Sequence, residues 1–223
     1  MNAEDQTFYE IFHASQSYGA WCNEVKARAL YDLIRESQDP KIVEIGVFMG
    51  QSAFVMMESL KRYSLPGSFF AIDPWTTEAA LEGNNTNEND EWWASIDINQ
   101  IYEGFLECVA TNGFGHICNV LRQKSDNVFY EWKDMPIDIL HIDGNHSEYN
   151  SVRDVCLWST AVAPNGFIIM DDTDWETTRK ATDILDVLFT RIDNPAYAAN
   201  NFLMFKNDQA SSDLLHNTAP DPL

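Results

Sequence analysis

The sequence predicts an α/β fold, a doubly wound and mostly parallel sheet of about seven strands with the last one antiparallel and helices on both faces. Three observations predict it. Short apolar runs of four to six residues alternate with longer stretches whose apolar residues recur at helical spacing. That alternation builds βαβ crossovers, hence parallel neighbours. The residues best suited to chemistry fall just after the short runs, at the strand ends where open parallel sheets bind ligands. A chain of 223 residues with 45% hydrophobic content fits one large domain with a real core.

The elements follow in order. Residues 4–37 place Phe8, Ile11 and Phe12, then Val25, Ala29, Leu30, Leu33 and Ile34, at helical spacing. One or two helices are expected there, ended by Asp39-Pro40, as an N-terminal unit over 1–40. The main domain is expected over 41–206. Its first strand is Ile42–Val47, followed by a helix from Gln51 to about Arg62, a turn at Pro66-Gly67 and a second strand at Phe69–Ile72. From Thr76 to Asp90 the pattern lapses into polar, turn-rich sequence, and a helix is expected from Trp92 to Val109. Together, about 76–110 reads as a mobile, lid-like insertion. Third and fourth strands are expected at His116–Leu121 and Ile137–Ile142, the latter with Asp138 as a turn or cap residue. A helix over Tyr149–Ala161, a turn at Pro164-Asn165-Gly166, a fifth strand at Phe167–Met170 and a helix over Thr177–Phe189 follow. Asn201–Lys206 reads as a late strand in a hairpin with residues 190–194, and 207–223 as a frayed tail.

Charge narrows the partners. Fourteen Lys and Arg against 35 Asp and Glu give a net charge of −21. A general nucleic-acid binder needs the opposite balance, and acidic membrane surfaces repel this one. The apolar runs Ala53–Met57 and Phe167–Met170 are too short to span a bilayer, and the acidic opening MNAEDQTFYE does not resemble a signal peptide. Cys22, Cys108, Cys118 and Cys156 form no CxxC pair and read as reduced thiols of a cytoplasmic protein. The expected partner is a small molecule, and the N-terminal helices offer a face for a homo-oligomer.

Strand one ends Glu44-Ile45-Gly46-Val47-Phe48-Met49-Gly50-Gln51-Ser52. Gly46 and Gly50 permit a tight turn and a close backbone approach. No Gly-Lys-Ser/Thr follows, which excludes a Walker loop, and the middle of the loop does not fit GxGxxG. Glu44 would repel a pyrophosphate but attract an ammonium or sulfonium, so the loop favours a cationic, phosphate-free cofactor. Asp73 ends strand two, where a carboxylate either accepts hydrogen bonds from ribose hydroxyls or caps the turn before Pro74.

Glu44-x-Gly46-x-x-x-Gly50 followed by Asp73 resembles motifs I and II of the class I S-adenosylmethionine-dependent methyltransferases, whose sheet is Rossmann-like. The resemblance implies Glu44 near the methionine amine, Gly46 and Gly50 against the cofactor backbone, and Asp73 on the ribose. Ser52, in the same loop, joins the candidate cofactor contacts. After strand three, Ser125 and Asp126 either meet adenine, as the resemblance implies, or cap the next helix.

Strand four runs into Asp143 and strand five into Asp171-Asp172. Adjacent parallel strands bring these to one sheet end, where carboxylates without a basic partner repel unless protonated or bridged by a cation. All-oxygen ligation suits Mg²⁺, with Ca²⁺ or Mn²⁺ as alternatives. The other reading is a capping box at Thr173-Asp174-Trp175-Glu176, with Asp171 solvated. From about Lys41 to Asp172 the chain is similar to the branch containing macrocin- and novobiocin-type sugar O-methyltransferases and cephalosporin hydroxylase-like proteins. That resemblance implies Asp143, Asp171 and Asp172 as ligands of a divalent ion that positions the acceptor. Those sugar methyltransferases carry an acidic base two residues after the first ligand, where this chain has Asn145. His146 is the candidate replacement, or a loop hydrogen-bonding residue. The expectation is S-adenosylmethionine-dependent O-methylation of a small hydroxylated acceptor with a divalent ion, with Asp143 and His146 catalytic. A hydroxylase-like enzyme and a non-catalytic cofactor binder on the same fold are the alternatives. Trp75, Trp92, Trp93 and Trp175 are either rim aromatics or core, whereas Trp158 and His141 read as core.

Overall fold

The structure is a computed structural model and describes residues 3–83, 86–133, 135–197 and 200–208. Helices α1 (Ala3–Ser15) and α2 (Glu24–Arg35) precede β1 (Lys41–Ile45), α3 (Gln51–Arg62) and β2 (Ser68–Ile72). Then come α4 (Thr77–Ala80), α5 (Asn87–Ser95), α6 (Ile98–Thr111), β3 (Cys118–Leu121) and α7 (Ser125–Glu131). The chain continues through β4 (Ile137–Ile142), α8 (Glu148–Trp158), β5 (Val162–Met170), α9 (Arg179–Leu188), β6 (Thr190–Arg191) and β7 (Leu203–Lys206).

The seven strands lie in the order β3-β2-β1-β4-β5-β7-β6. The first five pair in parallel, and β7 runs antiparallel to both β5 and β6. The chain winds outward from β1 to β3 and returns to β4 on the other side of β1. The switch point therefore lies between the carboxyl ends of β1 and β4. Side chains alternate across the strands, so Ile42, Ile139 and Ile169 join one core with α1, α2, α3 and α6, while Val43, Leu140 and Ile168 join the other with α8 and α9. The same alternation puts Glu44, His141, Asp143 and Asp171 on the α2 side.

Several expectations need correcting. The helix expected over 92–109 is two, because Asp97 accepts the N–H groups of Asn99 and Gln100 and starts α6 anew. Residues 76–83 and 86–90 of the polar stretch before it carry α4 and the start of α5, each capped by a threonine (Thr76 and Thr86). Strand β5 begins at Val162 and passes through the expected turn, with Asn165 at φ +66°. The capping box does not form: α9 starts at Arg179, the Thr178 hydroxyl donates to the Asp172 carbonyl, and Thr173 donates to the Asn201 carbonyl. Asp138, expected as a turn or cap residue, lies within β4 instead and accepts the Lys41 N–H at 2.8 Å, at the start of the neighbouring strand β1. The tail beyond residue 208 and positions 84–85 of the insertion lie outside the described residues. No helix among the described residues is long and apolar enough to cross a membrane.

Candidate active site

A cavity of about 850 Å³ opens at the switch point, within the range of small-molecule sites. The glycine loop forms one wall. Gly46 has φ +83°, and a Cβ there would collide with the Asp143 backbone carbonyl, because the β4 loop crosses directly over it. Gly50 has φ +90°, and its Cβ would stand 2.5 Å from the Phe105 ring. Between them, Phe48 adopts φ +51°. Of five non-glycine residues with positive φ among those described, Phe48, Trp75 and Asp172 line this cavity, so backbone strain is concentrated at the site.

Asp73 builds the loop as well as facing the cavity. Its Oδ2 accepts the N–H groups of Val47 and Phe48 at 3.0 Å, and its Oδ1 accepts that of Trp75 at 2.7 Å. Lone pairs remain on both oxygens for a hydroxylated ligand. Ser52 and Ser125 line the cavity, and each hydroxyl donates to a buried acid, Ser52 to Glu44 behind the wall and Ser125 to Asp154, which itself borders the space. Glu44 is thus fully buried one layer behind the wall, not on it. Asp126 also lies off the wall, paired with Arg153 at 3.1 Å, and Lys124 occupies the cap position of α7.

At the far end of the cavity the acids of β4 and β5 converge. Asp143 and Asp172 face the space, and His146 Nε2 lies 2.8 Å from Asp172 Oδ2 and 3.9 Å from Asp143 Oδ1. Trp175 packs on the His146 ring at 4.7 Å between centroids. Asn201 donates to the other Asp172 oxygen at 2.8 Å. Burial works against a charge on His146, yet Asp143 and Asp172 outweigh it and push the imidazole up to about 10. Burial, and then Asp171, raise the Asp143 carboxyl to about 6.

The premise that these carboxylates lack a basic partner is wrong. Lys26, from α2 and only 2% exposed, reaches through the floor of the cavity to bond Asp171 Oδ2, and its Nζ lies 3.6 Å from Asp143 Oδ2. His141, expected as a satisfied core residue, bonds Glu44 Oε1 through Nδ1 at 2.8 Å. Its Nε2 has no hydrogen-bond partner and lies 3.8 Å from Asp171 Oδ2. Burial opposes the imidazolium, but Asp171 and Glu44 push it up to about 10. Burial alone would raise Asp171; His141 and Lys26 instead hold it far below the usual carboxylate range.

Asn145, at the position of the missing acidic base, has a structural duty. Its Nδ2 donates to the carbonyls of Ala79, Ala80 and Glu82, each at 3.0 Å, and pins α4 over the cavity. The rim is aromatic. Trp21 stacks on Phe48 at 4.6 Å, and Trp92 and Trp93 of α5 approach Phe48 at 5.9 and 5.5 Å. Trp75 and Trp158 are buried core residues.

Comparison with known proteins identifies the family and the fold. Residues 43–173, more than half the chain, match the family described as "Methyltransferase domain". The O-methyltransferase TomG from Streptomyces achromogenes, solved with S-adenosylmethionine, superposes with a TM-score of 0.58 at 14% identity, over 91% of this chain and 89% of that one. The O-methyltransferase of Bacillus cereus, solved with S-adenosylhomocysteine, gives 0.59 at 12% over 91% and 90%. The O-methyltransferase NovP gives 0.62 at 10% over 92% and 98%. Uncharacterized protein y4gI of Sinorhizobium fredii is 22% identical over 142 residues, which are 64% of this chain and 14% of that protein's length. The resemblance read from Glu44, Gly46, Gly50 and Asp73 is borne out: this chain belongs to the methyltransferase-domain family and has the Rossmann-like fold of the class I S-adenosylmethionine-dependent methyltransferases.

Proposed function

We propose that the protein transfers the methyl group of S-adenosylmethionine to a hydroxyl oxygen of a small molecule. One observation carries this reading: a continuous cavity joins the glycine loop and Asp73 to Asp143, Asp172 and His146. An in-line displacement needs donor and acceptor held together in a space that excludes water. The residues suit the cofactor. Loop backbone and Asp73 border the space, and Glu44 Oε2, behind Ser52, is a buried carboxylate oxygen with no hydrogen-bond partner. A cationic group over Ser52 would offset that charge.

Asp143 and Asp172 would hold a divalent ion, Mg²⁺ foremost, because Mg²⁺ is bound by one or two carboxylates completed by water and substrate oxygens. Ligand atoms of Asp143, His146 and Asp172 lie within 4.8 Å of one another. Such an ion would lower the pKa of the acceptor hydroxyl. With a divalent ion offsetting the two carboxylates that otherwise keep His146 protonated, its neutral imidazole would take the acceptor proton, with Trp175 covering the ring. Trp21, Trp92 and Trp93 shield the mouth. All four cysteines are free, in keeping with a reducing cytoplasm, where we place the protein.

Isothermal titration tests the cofactor reading: the native chain should bind S-adenosylmethionine, and E44A/D73A should weaken binding by about tenfold or more, through loss of the Asp73 hydrogen-bond acceptor and of the buried Glu44 charge behind Ser52. Absence of binding to the native chain, or full retention in the double variant, sinks it. Release of S-adenosylhomocysteine with a panel of phenols, sugars and hydroxy acids, with and without chelator, then identifies the acceptor class and the need for metal.

A further inference from the structure

Lys26 is the one buried lysine among the described residues, and it lies on the apolar stripe of α2 with Leu30 and Ile34. Leu or Met at that position would satisfy the core. An ammonium instead carries a desolvation penalty that only a close, well-made pairing offsets. The pairing is there, and it is specific. Asp171 follows the last residue of β5, Asp143 that of β4, and the alternation of side chains turns both toward α2. The Asn23 side chain accepts the Lys26 N–H at 3.0 Å, which fixes the first turn of α2 and so the root of the lysine. Cys22 donates its N–H to Gln51 Oε1 at 2.8 Å, which ties the segment before α2 to the helix that follows the glycine loop.

The acidic cluster therefore has two halves. In the inner half Asp171 Oδ2 and Asp143 Oδ2 share Lys26, and His141 stands behind them. In the outer half Asp143 Oδ1, Asp172 Oδ2 and His146 face the cavity. We propose that Lys26 is a positioning residue of the active site. It is the resident cation of the inner half, holds Asp143 toward the acceptor, and keeps Asp171 out of the coordination sphere of any divalent ion. The metal site is then one of two carboxylates, Asp143 and Asp172, not three. The inference rests on the outer cluster read above as a metal site, and the experiment separates failure of the two.

The test is a Mn²⁺ titration of the full chain followed by electron paramagnetic resonance, without cofactor or acceptor. In the native protein D172N should abolish binding while D171N leaves the affinity within about twofold, since Asp171 is not a ligand. K26M, which exposes the Asp171 carboxylate to the ion, should tighten Mn²⁺ binding by about tenfold or more, K26M/D171N should return it to the native value, and K26R should match the native protein. The D171N arm decides the matter even if K26M does not fold. If D171N weakens Mn²⁺ as much as D172N does, Lys26 gives way to the metal, and the proposal fails while the metal reading stands. If K26M binds no tighter than the native chain, the proposal fails as well. If the native chain binds no Mn²⁺ but K26M does, the proposal holds and the metal reading fails.

Discussion

Asp154 shows how single residues of this site are tuned by burial. It is 3% exposed, accepts the Ser125 hydroxyl and lies against the cavity wall. Burial pushes its carboxyl up to about 6, a shift that the Ser125 hydrogen bond and Arg153 only partly counter. A carboxyl whose pKa is higher in the folded state binds extra protons there, so its contribution is favourable at low pH and is lost as pH rises from about 4 through 6. D154N should therefore gain stability relative to the native chain between pH 4 and pH 7.5, by up to about 3 kcal/mol, or two pK units. Urea midpoints at the two pH values measure it, and parallel profiles would contradict it. At the same scale, the single letters Gly46, Gly50, Asp73 and Asp143 marked the cavity in the sequence. Glu44 and Asp126 were marked equally well and lie off its wall: Glu44, within β1, stops one layer behind it, and Asp126, in the first turn of α7, pairs with Arg153.

Among the elements, α4 and α5 form the wall that sequence patterning reads least well. Their stretch is polar and lacks a long apolar stripe, so periodicity is silent where side-chain caps decide. Asn145 supplies the missing information by bonding three carbonyls at the end of α4. N145A should leave global stability nearly intact while opening residues 77–83, since each unmade buried bond costs about 1–3 kcal/mol locally. Hydrogen-exchange mass spectrometry would show faster exchange confined to that peptide, and unchanged exchange there would refute the pinning role. Helix α2, by contrast, was legible as a helix, and its lysine on the apolar face was a readable anomaly: Lys26, Leu30 and Ile34 follow one another at intervals of four. What no pattern on α2 indicates is which strand ends it faces.

For the whole molecule, the N-terminal helices are part of the core. Phe8, Ile11, Leu30, Tyr31 and Ile34 are buried with Met56, Met57 and Leu60 of α3 in one cluster. Removing five such side chains forfeits about 10 kcal/mol at roughly 2 kcal/mol each, comparable with the whole stability of an ordinary domain. Deletion of residues 1–40 should yield a chain without a cooperative thermal transition in calorimetry. A sharp transition near the native midpoint would show 41–206 to be self-sufficient. The net charge of −21 belongs to this scale as well, and it describes the surface more than the site, where Lys26, His141 and His146 stand against Glu44, Asp143, Asp171 and Asp172.

The sequence by itself determined the parallel sheet, the glycine loop and the row of acids at successive strand ends. Those follow from local causes, side-chain period and turn chemistry, that act within a dozen residues. Only the tertiary structure decided how the acids are balanced. Lys26 and Asp171 are 145 positions apart, and their meeting depends on the rotation of α2 against the sheet. Electrostatic pairing in a buried site is set by distances of a few ångströms, and the order of residues along the chain does not fix those distances.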